Sequence, residues 1–111
     1  MNNPKFSIFK SVSNGQFYFR LRAANGEIIL NGEGYRTNQT CRAGIASVKA
    51  NAPYDGCYQR KDGILNYTFN LTAANGEIVG RSENYTTRAA RENGIAAVKQ
   101  DAPNAPIEDL S

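Results

Sequence analysis

The chain has 111 residues and contains no histidine and no tryptophan, only two cysteines and one methionine. The absence of histidine removes the commonest metal ligand and the side chain that most often moves protons near neutral pH. Cys41 and Cys57 have no close-spaced partner, and a zinc site would want more ligands than they supply. Two reduced thiols, no metal and no cofactor are therefore expected. Long apolar runs are missing as well. Nothing approaches the roughly 20 residues that a membrane helix needs. The opening Met1-Asn2-Asn3-Pro4-Lys5 is not followed by the apolar core of a secretory leader. These absences predict a cytoplasmic protein with no membrane association. The sequons at Asn38, Asn66, Asn70 and Asn84 then carry no glycan. Charge of one sign is also scarce. The net charge is +3 and the pI about 9.0, a basic excess compatible with anionic partners but too small to identify one.

What the chain does have is a repeat. Ala23-Ala24-Asn25-Gly26-Glu27-Ile28 returns unchanged as Ala73-Ala74-Asn75-Gly76-Glu77-Ile78. Residues 19–53 align with 69–103 without a gap, and roughly half the positions are identical. Asn-Gly is the strongest short signal for a two-residue type I′ hairpin turn, in which both central residues take positive φ. Under that turn Ala23 opposes Ile28 and Leu21 opposes Leu30. Phe17, Phe19, Leu21, Ala23, Ile28 and Leu30 then share a buried face. Tyr18, Arg20, Arg22, Ile29, Asn31 and Glu33 share the other.

Before this hairpin, Phe6-Ser7-Ile8-Phe9-Lys10 reads as a strand and Ser13-Asn14-Gly15 as a turn. After it, Gly32 to Gly34 breaks the strand and Thr37 can cap a helix over 38–50. Thr40 stands where Glu or Gln would complete a capping box. Cys41, Ile45 and Val48 form the apolar stripe, and Gly44 interrupts it in a way that would allow close backbone approach. Ala52-Pro53 ends the helix. In the second copy Cys57 to Lys61 is the first strand, and Asp62-Gly63 is the turn, lengthened by Ile64-Leu65-Asn66. Tyr67 to Ala73 and Ile78-Val79 form the hairpin. Thr87 caps a helix over 88–100 carrying Gly94, Ile95 and Val98. Ala105 to Leu110 is either a short edge strand or loose.

A unit of about 50 residues has a large surface for its core and gains most by burying its stripe against a second unit. The pattern therefore predicts an α+β fold with two repeats, about 5–53 and 55–111, joined in a single domain about a pseudo-two-fold axis. The antiparallel sheet carries both helices on one face. Because the internal repeat already supplies a dimer-like arrangement, a monomer is expected.

The stretch Phe19-Arg20-Leu21-Arg22-Ala23-Ala24-Asn25-Gly26-Glu27-Ile28 carries a resemblance. So do Glu33-Gly34-Tyr35, Asn93-Gly94-Ile95, Ala97-Val98-Lys99 and the second-copy Phe69 to Gly76. On these residues the chain resembles the bacterial YegP-like family of tandem-repeat proteins over nearly its whole length. The resemblance implies β-β-β-α-β units that form one sheet and exchange C-terminal strands, which favours strand character for 105–110. It brings no established catalytic or ligand residues.

The remaining residues bear on three kinds of chemistry. Glu27 and Glu77 recur beside a turn and Lys49 and Lys99 near helix ends. Solvation of a hairpin tip and favourable interaction with the helix dipole account for them, and no nucleophile–base pair is evident, so the chain reads as non-enzymatic. The open sheet face should carry Tyr18, Arg20, Arg22 and Arg81, residue types that stack bases and contact phosphates. Glu33 and the second-copy Thr68, Asn70 and Thr72 dilute that face. Tyr35 and Tyr85 precede the helix caps and can pack over the helix N-termini. Ile29 and Val79 would make an exposed apolar spot if adjacent. The leading expectation is a small binding or interaction module, with a protein partner possible. Binding of RNA or single-stranded DNA through the Arg-bearing face is the alternative, and an unrecognised enzyme is third.

Overall fold

Alternating side chains build the hairpins. In Phe17–Arg22 the odd positions are apolar and the even ones polar, so one edge of the pleat can be buried while the other meets water. The computed structural model describes residues 3–111; Met1 and Asn2, where the stretch read as lacking a leader begins, lie outside them. The elements run β1 (Lys5–Lys10), β2 (Phe17–Arg22), β3 (Ile28–Asn31), α1 (Asn38–Asn51), β4 (Tyr58–Gly63), β5 (Asn66–Thr72), β6 (Ile78–Arg81), α2 (Arg88–Asp101) and β7 (Ile107–Asp109). All seven strands form one sheet in the order β4-β5-β6-β3-β2-β1-β7. It is antiparallel except for the β1–β7 pair, which is parallel, so the sheet is mixed.

The two repeats meet at Asn31 and Arg81, the pair that joins β3 to β6. These positions are equivalent in the repeat, so the pseudo-two-fold axis passes between them. Perfect symmetry breaks one residue away. A Cβ at Gly80 would sit 2.6 Å from Leu30 Cδ2. Leu30 and Gly80 are also equivalents, so one repeat supplies a knob and the other the space for it. Phe6, Ile8, Phe19, Leu21 and Leu30 from the first repeat, and Phe69 and Leu71 from the second, are buried together. Cys41, Ile45, Val48, Ile95 and Val98 of the two helices join the same core. Each large side chain contributes about 1.5–3 kcal/mol by leaving water.

The Asn-Gly turns differ from the type I′ expectation. Gly26 has φ +87° and Gly76 has φ +86°, while Asn25 and Asn75 have negative φ. The Gly26 N–H donates to Ala23 O (2.9 Å) and the Ala23 N–H to Glu27 O (2.8 Å). That pattern is a type I turn followed by a glycine bulge. It asks left-handed backbone only of the glycine, and Asn25 Oδ1 accepts from the Glu27 N–H (3.0 Å). The bulge moves the register by one, so Ile28 opposes Arg22 rather than Ala23. Ile29 and Val79 are buried, not exposed. They lie on the central strands, whose neighbours cover both flanks.

The second-copy turn also moves. Asp62 and Gly63 belong to β4, with Gly63 opposite Asn66, and the turn is Ile64-Leu65 with Leu65 at φ +53°. Asp62 is held in the strand by ion pairs to Arg88 (2.7 Å) and Arg91.

Both helices extend one residue beyond expectation. The Thr37 hydroxyl accepts from Thr40 N (3.0 Å) and Thr40 Oγ1 accepts from Thr37 N (3.3 Å). The capping box is thus complete, closed by a threonine hydroxyl. In α2 Thr87 accepts from Ala90 N (3.0 Å), and alanine has no group to return. The helix glycines are not sites of backbone approach. A Cβ on Gly44 would fall on the Tyr35 hydroxyl, and one on Gly94 on the Tyr85 hydroxyl. The tyrosines therefore lie along the helices at the glycines, further in than the N-termini.

The two sheet edges are closed by different means. On one side the C-terminal strand crosses to the first repeat, with Phe6, Ser7 and Ile8 paired to Ile107, Glu108 and Asp109. The equivalent segment after α1 forms a 3-10 turn, Asp55–Cys57, and runs straight into β4, so a single strand is exchanged. On the β4 side an ion-pair cluster takes over. Arg60 binds Glu92 (3.0 Å) and Asp55 (2.9 Å), and Lys99 binds Asp55 (2.7 Å). Arg91, only 3% exposed, donates to Lys61 O (3.1 Å) and pairs with Asp62 and Glu92. Charged edge strands resist pairing with other chains.

Candidate binding site on the open sheet face

Since Phe6, Ile8, Phe19 and Leu21 point to the helices, strand alternation sends Lys5, Ser7, Phe9, Tyr18, Arg20 and Arg22 to the opposite face. The β1–β2 register sets Lys5 opposite Arg22, Ser7 opposite Arg20 and Phe9 opposite Tyr18. One level of the sheet is a continuous polar row. It runs Glu108, Ser7, Arg20, Asn31, Arg81, Asn70, Gln59, one side chain from each strand.

At one end of this row the face is concave. A cavity of about 360 Å³ is lined by Lys5, Ser7, Phe9, Arg20, Arg22 and Glu108, among others. The Arg20 guanidinium lies 4.5 Å from the centroid of the Phe9 ring, a cation–π contact. Among the described residues no carboxylate or other acceptor of the protein bonds it, and its side chain lines the cavity. Among the described residues Arg22 donates to Gly26 O alone (3.1 Å). Lys5 is paired with Glu108 (3.1 Å), the one acidic side chain in the lining. A planar guanidinium with free donors matches carboxylate and phosphate oxygens bidentately. Three cations against one carboxylate leave the cavity an excess of positive charge.

The structure brings Arg20 and Arg22 together but separates the other two residues expected on this face. Tyr18 stacks on Phe9 (centroids 5.8 Å apart), and its hydroxyl accepts from Asn14 Nδ2 (2.9 Å). Arg81 is two strands away from Arg20 and is bonded to Glu33 (2.9 Å). Glu33, expected to temper Tyr18, instead neutralises Arg81 across the pseudo-two-fold. Sequence reasoning missed Lys5, Ser7 and Phe9. The alternation of β1 carried the signal for them, had its register with β2 been known. Glu108 arrives from the far end of the chain, and no local pattern announces it.

Several other titratable groups are shifted by burial or by ion pairing. Burial pushes the Cys41 thiol up to about 11, with Asp109 adding to the shift. Hydrogen bonds from Arg60 and Lys99 pull Asp55 down to about 2. Those from Arg91 and Arg88 hold Asp62 low, and the bond from Arg60 does the same for Glu92. Desolvation raises Tyr35, Tyr58 and Tyr85. None of these shifts moves a group toward neutrality, where general acids and bases work best. Among the described residues no three His, Cys, Asp or Glu side chains gather as a metal requires. No helix among them is long and apolar enough to cross a membrane.

Known proteins share this arrangement. The solution structure of UPF0339 protein SO3888 from Shewanella oneidensis superposes with a TM-score of 0.90 at 39% identity, covering 97% of this chain and 92% of that one. The solution structure of YegP from E. coli, a protein of unknown function, gives 0.89 at 39% identity over 99% and 95%. By sequence the chain is 44% identical over 57 residues to UPF0339 protein YegP of Yersinia pestis, covering 51% of each. It is 53% identical over 47 residues to the UPF0339 protein in the ptx operon 5′ region of Stutzerimonas stutzeri, covering 42% of each. The chain thus spans about half the length of these curated relatives in such matches. The family model described as "Domain of unknown function (DUF1508)" matches residues 13–59 and 66–109, two tandem segments, and the chain belongs to that family.

Proposed function

We propose that this protein is a non-enzymatic binding module of the cytoplasm that takes an anionic ligand in the cavity between β1, β2 and β7. The observation that carries the reading is Arg20, in cation–π contact with Phe9 and bonded to no acceptor among the described residues, beside Arg22 and Lys5 in one concavity. Preorganised donors lower the ordering cost of binding. The locked carboxylates and the raised thiol favour binding over catalysis. A titration of amide NMR shifts with phosphate and with acetate tests it, at constant ionic strength. Shifts confined to β1, β2 and β7, and abolished in Arg20→Gln/Arg22→Gln, are expected. Shifts scattered over the surface, or unchanged in the double variant, would overturn it.

A second reading is single-stranded nucleic acid lying along the polar row from Glu108 to Gln59. The row offers Arg20, Asn31, Arg81 and Asn70 in succession, donors suited to phosphates and base edges. The Arg81–Glu33 bond weighs against it, because a phosphate would have to displace the carboxylate. Fluorescence anisotropy with labelled oligo-U and oligo-dT at two salt concentrations decides. A steep salt dependence that weakens in Arg81→Gln supports the row, and no anisotropy change removes it.

A further inference from the structure

The cationic cavity does not end at Phe9. A second concavity of about 500 Å³ is lined by Phe9, Lys10, Val12, Gly15 and Leu110, among others. Phe9 and Leu110 line both. The two therefore adjoin along the outer side of β1, with Arg20, Arg22 and Lys5 at one end and Phe9, Val12 and Leu110 beside Lys10, Ser11 and Ser111 at the other. Val12 is fully exposed and Leu110 is 64% exposed. Neither packs into the core, yet Leu110 is held in place by its N–H donating to Ile8 O (2.8 Å). Phe9 stands where the two meet, with the Arg20 guanidinium 4.5 Å from its ring centroid and Tyr18 stacked on it.

We infer that the ligand of this groove is a small amphiphile: an anionic head group, carboxylate or phosphate, carrying an apolar chain. The head meets Arg20 and Arg22, and the chain runs past Phe9 to cover Val12 and Leu110. This rests on the anion-site reading and extends it to the ligand's tail. Charge complementarity selects the head, since Lys5, Arg20 and Arg22 line that end against the carboxylate of Glu108. From Ser7 to Lys10 the strand advances roughly 10 Å, room for a chain of medium length. A peptide strand fits less well. The edge it would join is β7, only three residues long, which offers few backbone partners.

The test is a homologous series: acetate, butyrate, hexanoate and octanoate, with methyl and octyl phosphate beside them and neutral 1-octanol as control. Dissociation constants are read by calorimetry or NMR at fixed ionic strength, below the concentrations at which the probes self-associate. Each added methylene should tighten binding about threefold while the tail remains in the groove. Tightening along the carboxylates, the phosphates or both supports the proposal and identifies the head group. 1-Octanol should bind at least about tenfold more weakly than the octyl anion. Val12→Asn alters a fully exposed side chain outside the cationic cavity, so folding is not at stake. It should weaken octanoate about tenfold and leave acetate unchanged. If acetate and phosphate bind at Arg20 but affinity is flat along the series, the amphiphile is wrong and the anion site stands. If 1-octanol binds as tightly as octanoate, the head-group selection is wrong. If no anion binds, both readings fall.

Discussion

The hydroxyl of Tyr85 occupies the space that a β-carbon on Gly94 would need, and Tyr35 stands in the same relation to Gly44. Each helix therefore carries a glycine because an aromatic ring from the preceding turn lies across it. Gly94→Val should cost about 2 kcal/mol, as expected for overpacking. Gly94→Ala should cost less, because alanine recovers up to about 1 kcal/mol of helix propensity. Tyr85→Phe removes the first atom that the new side chain meets, so in the Gly94→Val background it should raise the melting temperature. Thermal denaturation of the three variants and the double variant checks this. Equal melting temperatures for Gly94→Val and the native chain would mean that the tyrosine swings aside freely.

The knob and its space at the pseudo-two-fold axis can be exchanged. Gly80→Leu alone places two leucines where one fits and should cost several kcal/mol. The swap Leu30→Gly/Gly80→Leu restores one knob and one hole in mirrored order. Denaturant titration should find the swap more stable than Gly80→Leu alone, with a coupling energy above about 1 kcal/mol. Additive losses would show that the surroundings of the two positions are not equivalent.

Only the glycine of each Asn-Gly turn is left-handed. Gly26→Ala should therefore cost about 1 kcal/mol or more. Asn25→Ala should cost less, since it loses the hydrogen bond to the Glu27 N–H without backbone strain. Urea titration gives the order. A larger loss for Asn25→Ala would contradict the bulged turn.

The cysteines should separate in a thiol assay. Cys41 is fully buried and its thiol is pushed up to about 11, whereas Cys57 is half-buried. At pH 8 the native protein should release one equivalent of chromophore with a disulfide reagent, and two in denaturant. Two fast equivalents in the native protein would mean that the α1 core opens readily.

Acid should weaken the fold through its ion-paired carboxylates. Asp55 has a folded-state value of about 2 against an ordinary 3.8, and Asp62, Glu92 and Asp109 are also lowered. Their contribution is present above the unfolded values and is lost as pH falls through the folded ones. The melting temperature should hold down to about pH 4 and fall steeply toward pH 2. Asp55→Asn should flatten part of that fall. A melting temperature constant from pH 4 to 2 would remove these pairs as contributors.

Much of the fold could be read from periodicity. The strand and helix positions follow from alternation, capping threonines and Ala-Pro stops, and both helices end within a residue of expectation. What escaped were choices between near-equal local solutions. Asn-Gly serves a type I′ turn and a bulged type I turn alike. The outcome depends on whether asparagine is spared positive φ, and the one-residue difference moves Ile28 from Ala23 to Arg22. Asp62-Gly63 looks like a turn until Arg91 and Arg88 hold the aspartate in a strand. Arg91 replaces the buried Cys41 of the other repeat, and its burial depends on partners thirty positions away. Of the site, Arg20 and Arg22 were legible from alternation. Lys5, Ser7 and Phe9 required the β1–β2 register, and Glu108 and Leu110 required knowing where the last strand goes.

The crossing of that strand has a consequence for synthesis. Phe6, Ser7 and Ile8 find their edge partners only at Ile107, Glu108 and Asp109, so a growing chain cannot seal its first repeat until the second has been translated. The nascent first half carries an uncovered strand edge while the ribosome makes the rest, a window in which such edges are prone to wrong pairings. The wall that Glu108 and Leu110 give to the groove is likewise absent until that moment. The candidate binding site is therefore complete only once β7 has docked on β1.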